Sequence, residues 1–106
     1  MFYEGYHTYY TYILTNKYKT VLYIGVTNNL GTRLIQHKEG MHKKNKSFTS
    51  RYKCIYLIYY EKFSWIQEAI AREKELKGWM RIKKETLINK HNPDWDFWNE
   101  DFYINL

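Results

Sequence analysis

The run Thr8-Tyr9-Tyr10-Thr11-Tyr12-Ile13-Leu14 and, after a short polar segment, Val21-Leu22-Tyr23-Ile24-Gly25-Val26 decide the fold. Both stretches are dense in β-branched and aromatic side chains, which suit a pleated, half-buried surface, so the pair reads as a β-hairpin. Directly downstream, Thr27, Asn28 and Asn29 offer N-cap oxygens. Leu30, Leu34 and His37 then recur at helical spacing until Gly40, which predicts a helix launched from the end of the second strand. A basic loop is expected next, and a third apolar and aromatic run over residues 52–60 predicts a third strand. Ser64-Trp65-Ile66-Gln67 reads as a capping box opening a second helix, with Ile66, Ala69, Ile70 and Leu76 as its buried stripe and Gly78 as its stop. A third helix from about Met80 to Lys90 carries Leu87 and Ile88 before Asn92-Pro93 breaks it. The expected order is β-β-α-β-α-α: one small α/β domain with a three-stranded, largely antiparallel sheet flanked by helices. Residues 94–106 are acidic and aromatic (Trp95, Phe97, Trp98, Phe102, Tyr103), and are expected to pack as a tail onto the domain formed by residues 1–93.

With 106 residues, 44% hydrophobic and 20% aromatic, the chain can close one modest core. Its single cysteine, Cys54, lies in an apolar run, so neither an internal disulfide framework nor a cysteine-based zinc site can be built. No window approaches the roughly 18 apolar residues that a membrane span needs, and the N-terminus lacks the pattern of a signal peptide. The expectation is a soluble cytoplasmic protein with no membrane partner. The formal charge of +6 is unevenly placed: residues 1–60 hold nine Lys or Arg against Glu4 and Glu39, whereas the remainder is nearly neutral. Lys38, Lys43, Lys44, Lys46, Arg51 and Lys53 are interleaved with His37, His42, Phe48 and Tyr52. Cations for phosphates and rings for exposed bases are what a nucleic-acid footprint needs, although a solvated basic loop has the same composition.

Three positions stand out chemically. Glu73 falls on the stripe assigned to the core, three residues after Ile70 and three before Leu76. A carboxylate there is paired with a neighbour such as Arg72, Lys74 or Lys77, lies at the margin of the stripe, or holds a metal, because an unpaired buried charge costs several kcal/mol. Arg33 and His37, four residues apart, project from one helix face. Arginine offers a planar donor fork for phosphate oxygens and histidine can exchange a proton near neutrality, yet a solvated helix face would look the same. Tyr12 and Tyr23, taken alone, are ordinary sheet formers.

Together these residues form a pattern. Tyr10-Thr11-Tyr12, Tyr23-Ile24-Gly25, Arg33, His37 and Glu73, the last within Ala-Arg-Glu-Lys-Glu-Leu-Lys, resemble the signature of the GIY-YIG nuclease superfamily. Phe48-Thr49-Ser50-Arg51-Tyr52 and Asn92-Pro93-Asp94-Trp95 fall in the family's order, so the resemblance spans nearly the whole chain. It is strongest to small standalone bacterial predicted endonucleases with a URI domain, relatives of the nuclease module of the excision-repair incision subunit. Here Tyr10-Thr11-Tyr12 replaces the family's Gly-Ile-Tyr but keeps the tyrosine, and Asn92 is the candidate counterpart of a late asparagine, with a helix-ending role equally open.

The resemblance implies a metal-dependent endonuclease, structure-selective on DNA and linked to repair chemistry, with catalytic residues Tyr12, Tyr23, Arg33, His37 and Glu73. It implies that Glu73 holds one Mg²⁺ or Mn²⁺, that Arg33 clamps a phosphate oxygen, and that Tyr23 or His37 takes the proton of the attacking water. Lys38, Lys43, Lys44, Lys46, Arg51, Lys77 and Lys84 are the expected nucleic-acid contacts, with DNA preferred over RNA and a protein partner as a further source of specificity. The alternative is a non-catalytic DNA- or RNA-binding module on the same scaffold.

Overall fold

A computed structural model describes residues 8–40 and 47–102. The hairpin consists of β1 (Tyr9–Thr15) and β2 (Leu22–Thr27), paired antiparallel with Tyr12 opposite Gly25 and Leu14 opposite Tyr23. Asn16 builds the turn between them: its Oδ1 accepts from the backbone N–H groups of Thr20 and Val21 at 2.8 and 3.0 Å, and its Nδ2 donates to the Thr20 hydroxyl. Then follow α1 (Leu30–Gly40), α2 (Phe48–Tyr52), β3 (Tyr56–Phe63), α3 (Ile66–Gly78), α4 (Arg81–His91) and a closing 3-10 turn, Asn99–Phe102. The sheet order is β2-β1-β3, with both neighbours antiparallel to β1.

As the central strand, β1 is covered on both faces, and residues 11–15 are buried without a break. One face sends Tyr12 and Leu14 against Leu30, Leu34, Cys54 and Leu57. The other sends Ile13 against Ile24, Ile58, Tyr59, Leu76 and Ile88. A bulge where Ile13 and Leu14 meet Tyr59 and Leu57 leaves Ile58 as the extra residue, so Ile58 and Tyr59 both serve one core while Leu57 serves the other. Helix α3 is tied to the sheet where the Thr11 hydroxyl donates to the carbonyl of Ala69 at 2.7 Å.

The element order and the three-stranded antiparallel sheet are as expected from the sequence, with three local differences. The segment read as a basic loop contains α2, whose start is capped by Ser47 accepting from Ser50 N–H and whose end is Lys53 in a left-handed conformation (φ 56°). The third strand begins at Tyr56 and not at residue 52, because residues 48–52 are taken up by that helix. Helix α3 starts after Trp65, which occupies the N-cap position without a side-chain cap bond, so the capping box read at Ser64 is not what opens it.

The chain after α4 returns to the free edge of β3. The Trp98 N–H donates to the Leu57 carbonyl at 2.7 Å, and buried Asn99 accepts from Leu57 N–H and donates to the Ile55 carbonyl, both at 2.8 Å. Asn92, also buried, donates to the carbonyls of Ile58 and Asp96 and accepts from Asp96 N–H. Trp98 and Phe102 pack on the Tyr12 core, and Trp95 and Phe97 on the Ile13 core. Among the described residues no helix is long and apolar enough to cross a membrane.

Candidate active site

The Tyr12 ring crosses the sheet surface directly over Gly25. A Cβ at position 25 would sit 2.5 Å from the Tyr12 hydroxyl oxygen and 2.6 Å from the ring carbon that bears it. Glycine there is therefore a steric requirement of the tyrosine opposite. The Tyr12 hydroxyl lies 2.9 Å from His37 Nε2, and His37 Nδ1 lies 3.1 Å from the Thr49 hydroxyl, which joins β1, α1 and α2 in one buried chain of polar groups. Tyr23 packs against this chain, its ring 5.6 Å from His37 and 6.3 Å from Tyr12.

Burial governs the proton affinities here. The Tyr12 hydroxyl is pushed up to about 12, chiefly by burial, with Arg33 pulling the other way and the charges of Tyr23 and Glu73 adding to the rise. His37 is pushed down to about 4, by burial first and by the Arg33 charge second. Its ring is therefore neutral at neutral pH, with one N–H and one lone pair to share between the two hydroxyls that flank it. The nearby hydroxyl of Tyr12, and after it that of Tyr23, raises the proton affinity of Arg33, whose Nη1 donates to Gln36 Oε1 at 3.1 Å.

In front of Tyr12 lies a cavity of about 230 Å³ lined by Tyr23, Arg33, Gln36, His37, Phe48 and Thr49, among others, with Tyr12 itself behind His37. The structure thus brings four of the expected catalytic residues, Tyr12, Tyr23, Arg33 and His37, into one cluster. Glu73 approaches from α3. Its charge is felt at Tyr12, its side chain is only 17% exposed, and it is paired with Lys77 at 3.3 Å, but it does not line the cavity. Its neighbour Arg72 is committed elsewhere, forked onto Glu61 at 2.9 Å and bonded to Glu75 at 2.7 Å. A larger open groove of about 720 Å³, lined by Tyr59, Tyr60, Glu61, Lys62, Phe63 and His91 among others, borders β3, and there the Tyr59 hydroxyl and Glu61 are spent on each other and on Arg72.

Among the described residues no group of three or more His, Cys, Asp or Glu could hold a metal ion. A hard divalent ion would find one carboxylate near this cluster, that of Glu73, and would need water and substrate phosphate for its other ligands, as Mg²⁺ commonly accepts. Of the expected nucleic-acid contacts, Lys38 is half-buried on α1, Arg51 is exposed on α2, Lys77 is the partner of Glu73 and Lys84 is half-buried on α4. Lys43, Lys44 and Lys46 lie outside the described residues. Asn92, the candidate late asparagine, has its amide engaged with backbone at the end of α4. Thr49 and Gln36 are site residues to which sequence reading assigned no role; the only signal for Thr49 was its place in Phe48-Thr49-Ser50-Arg51-Tyr52.

Residues 8–93 match the model of the GIY-YIG catalytic domain. A UPF0213 protein of Bacillus pumilus is 34% identical over 84 residues, covering 79% of this chain and 82% of the relative. A UPF0213 protein of Staphylococcus haemolyticus is 35% identical, covering 76% of this chain and 94% of the relative. The solution NMR structure of a UPF0213 protein from Bacillus halodurans shares the fold with a TM-score of 0.51 at 27% identity, covering 83% of this chain and 89% of that one. The family is one of nuclease domains, which generally use divalent metal ions and act on nucleic acid. With its tyrosine, arginine and histidine residues gathered at one cavity and its family match over 8–93, this chain belongs to the GIY-YIG catalytic domain family.

Proposed function

We propose that the chain is an endonuclease that hydrolyses DNA phosphodiester bonds with one Mg²⁺ or Mn²⁺, selecting its substrate by structure rather than sequence. The observation that carries this reading is the gathering of Tyr23, Arg33 and His37 at one open cavity, with the Tyr12 hydroxyl 2.9 Å from His37 behind them. Residues 1–93 are the nuclease domain in this reading, and residues 94–106 are a tail of the same unit, in keeping with the Asn99 and Trp98 contacts to β3.

Arg33, cationic and at the cavity wall, binds a non-bridging phosphate oxygen and offsets charge that builds during attack. The proton of the attacking water goes to a tyrosine oxygen that the water can reach from the cavity. Tyr12 is held back by burial and is 1% exposed, so the role falls to Tyr23, which lines the cavity. His37 has both ring nitrogens engaged and a low proton affinity, so it acts as a positioning residue that fixes the Tyr12 hydroxyl. Glu73, now paired with Lys77, would be the residue that holds the divalent ion. When bound, the ion supplies positive charge to the phosphate and the leaving 3′ oxygen.

The test is cleavage of labelled duplex, single-stranded, flap and branched DNAs and of RNA, with Mg²⁺ or Mn²⁺, by wild type, Glu73→Ala and Arg33→Ala. Metal-dependent cutting reduced about a hundredfold or more in both variants is expected. Cutting retained by both would place the chemistry elsewhere. Salt-sensitive binding without cutting by wild type would leave a nucleic-acid-binding module.

A further inference from the structure

Helix α2 presents two aromatic rings to solvent. Phe48 is 45% exposed and Tyr52 44%, and their ring centroids are 4.7 Å apart. Apolar rings left in water on a five-residue helix cost free energy without helping the core, while the same helix is firmly seated underneath. Thr49 bonds His37, Ser50 Oγ donates to the Gly40 carbonyl at 3.0 Å, and the Thr49 carbonyl accepts from Cys54 N–H. The rings are thus held on a rigid base.

They also lie on a continuous path. Tyr23, at the wall of the catalytic cavity, is 5.9 Å from Phe48. Beyond Phe48 comes Tyr52, and Tyr52 forms one wall of a second cavity of about 310 Å³, whose other lining residues are Asn16, Lys17, Tyr18, Lys53 and Tyr56. Tyr18 is 75% exposed, with the Lys17 ammonium 6.0 Å from its ring. Arg51 is exposed on the same helix, Lys53 lines the second cavity, and no Asp or Glu occurs from residue 40 to residue 60. Rings alternating with cations complement a strand whose bases are unstacked and whose backbone is anionic. A duplex, with its bases already stacked, gains nothing from exposed rings.

We propose that the surface running from the Tyr23 cavity over Phe48 and Tyr52 to the Tyr18, Lys17 and Lys53 cavity is a track for unpaired DNA, on which bases next to the scissile phosphate stack. This rests on the nucleic-acid reading above and names the structure it selects: a strand unpaired beside the cut. Tyr52 and Tyr18 are then specificity determinants remote from the reacting atoms.

The test uses a single-stranded oligonucleotide carrying 2-aminopurine and the same label within a hairpin duplex, in EDTA so that nothing is cut. Wild type is run beside Tyr52→Ala, Tyr18→Ala and Tyr52→Phe, with unfolding midpoints as the control for folding; the exposure of both side chains leaves the fold intact. Wild type is expected to quench the single-stranded probe and to prefer it over duplex. The preference should fall about tenfold in each Ala variant and return in Tyr52→Phe, the scale that base stacking on one ring sets. No quenching on binding, no binding of single strands, or an unchanged preference in both Ala variants would overturn the track. The same probes with metal separate the two readings. Cutting that is indifferent to Tyr52 and Tyr18 keeps the nuclease and removes the track, whereas ring-dependent quenching without cutting keeps the track and removes the nuclease.

Discussion

Two buried polar networks lie on either side of this small domain, and they end differently. On the β3 side, Asn92 and Asn99 spend their amides on main-chain groups of residues 55, 57, 58 and 96. On the hairpin side, Tyr12, His37 and Thr49 are joined side chain to side chain, and the chain adjoins Arg33 and Tyr23 at an open cavity. A network that closes on backbone satisfies donors and acceptors the fold itself created, and so serves stability. One built from side chains creates its own polar groups inside the core, which is worth its desolvation only if they do something at the surface they border.

The sharpest way to break this contrast is Asn99→Ala. The Leu57 N–H and Ile55 carbonyl would be left without their partner, which costs about 2–6 kcal/mol at roughly 1–3 kcal/mol per orphaned group. Calorimetry should show the unfolding midpoint lowered by about 10 °C or more. Cleavage measured well below that midpoint should change little; an unchanged midpoint would show that the asparagine is not what fastens the tail.

Gly25→Ala probes the opposite network. The added methyl overlaps the Tyr12 hydroxyl and forces the ring off His37, with an expected destabilisation of about 1–3 kcal/mol. Here, unlike at Asn99, cleavage far below the midpoint should fall together with stability. Full activity in this variant would mean that the Tyr12–His37 contact plays no part in catalysis.

The smallest effect is a pH dependence. In the folded chain His37 takes up a proton only near pH 4, against an ordinary value of 6.5. As pH drops below about 6.5 the unfolded chain binds the proton first, so this contribution to stability is complete above that value and is lost progressively towards pH 4. Its size is roughly 1–2 kcal/mol: at about 1.4 kcal/mol per pKa unit the fall from 6.5 to about 4 sets a ceiling of about 3.5 kcal/mol, which relaxation of the site around the protonated ring lowers. Denaturant midpoints of wild type and His37→Gln across pH 4–7 should converge at the acid end. Parallel curves would mean that burial does not hold the imidazole neutral.

Residues close in sequence determined much of this protein by themselves. The hairpin was legible in the two β-branched and aromatic runs, α1 in the cap residues and the Leu30, Leu34, His37 spacing, and the family in the order of Tyr12, Tyr23, Arg33, His37 and Glu73. Helix α2 was hidden because five residues carry too little periodicity, and its stability comes from contacts to Gly40, His37 and Cys54. Tertiary structure alone decided that His37 is buried with both nitrogens engaged and proton affinity lowered, that Gly25 answers the Tyr12 ring, and that Asn92 and Asn99 fasten the edge of β3. Each of these depends on atoms from elements far apart in the chain, and burial, the main cause of the shifts at Tyr12 and His37, is a property of the packed whole that no local spacing carries.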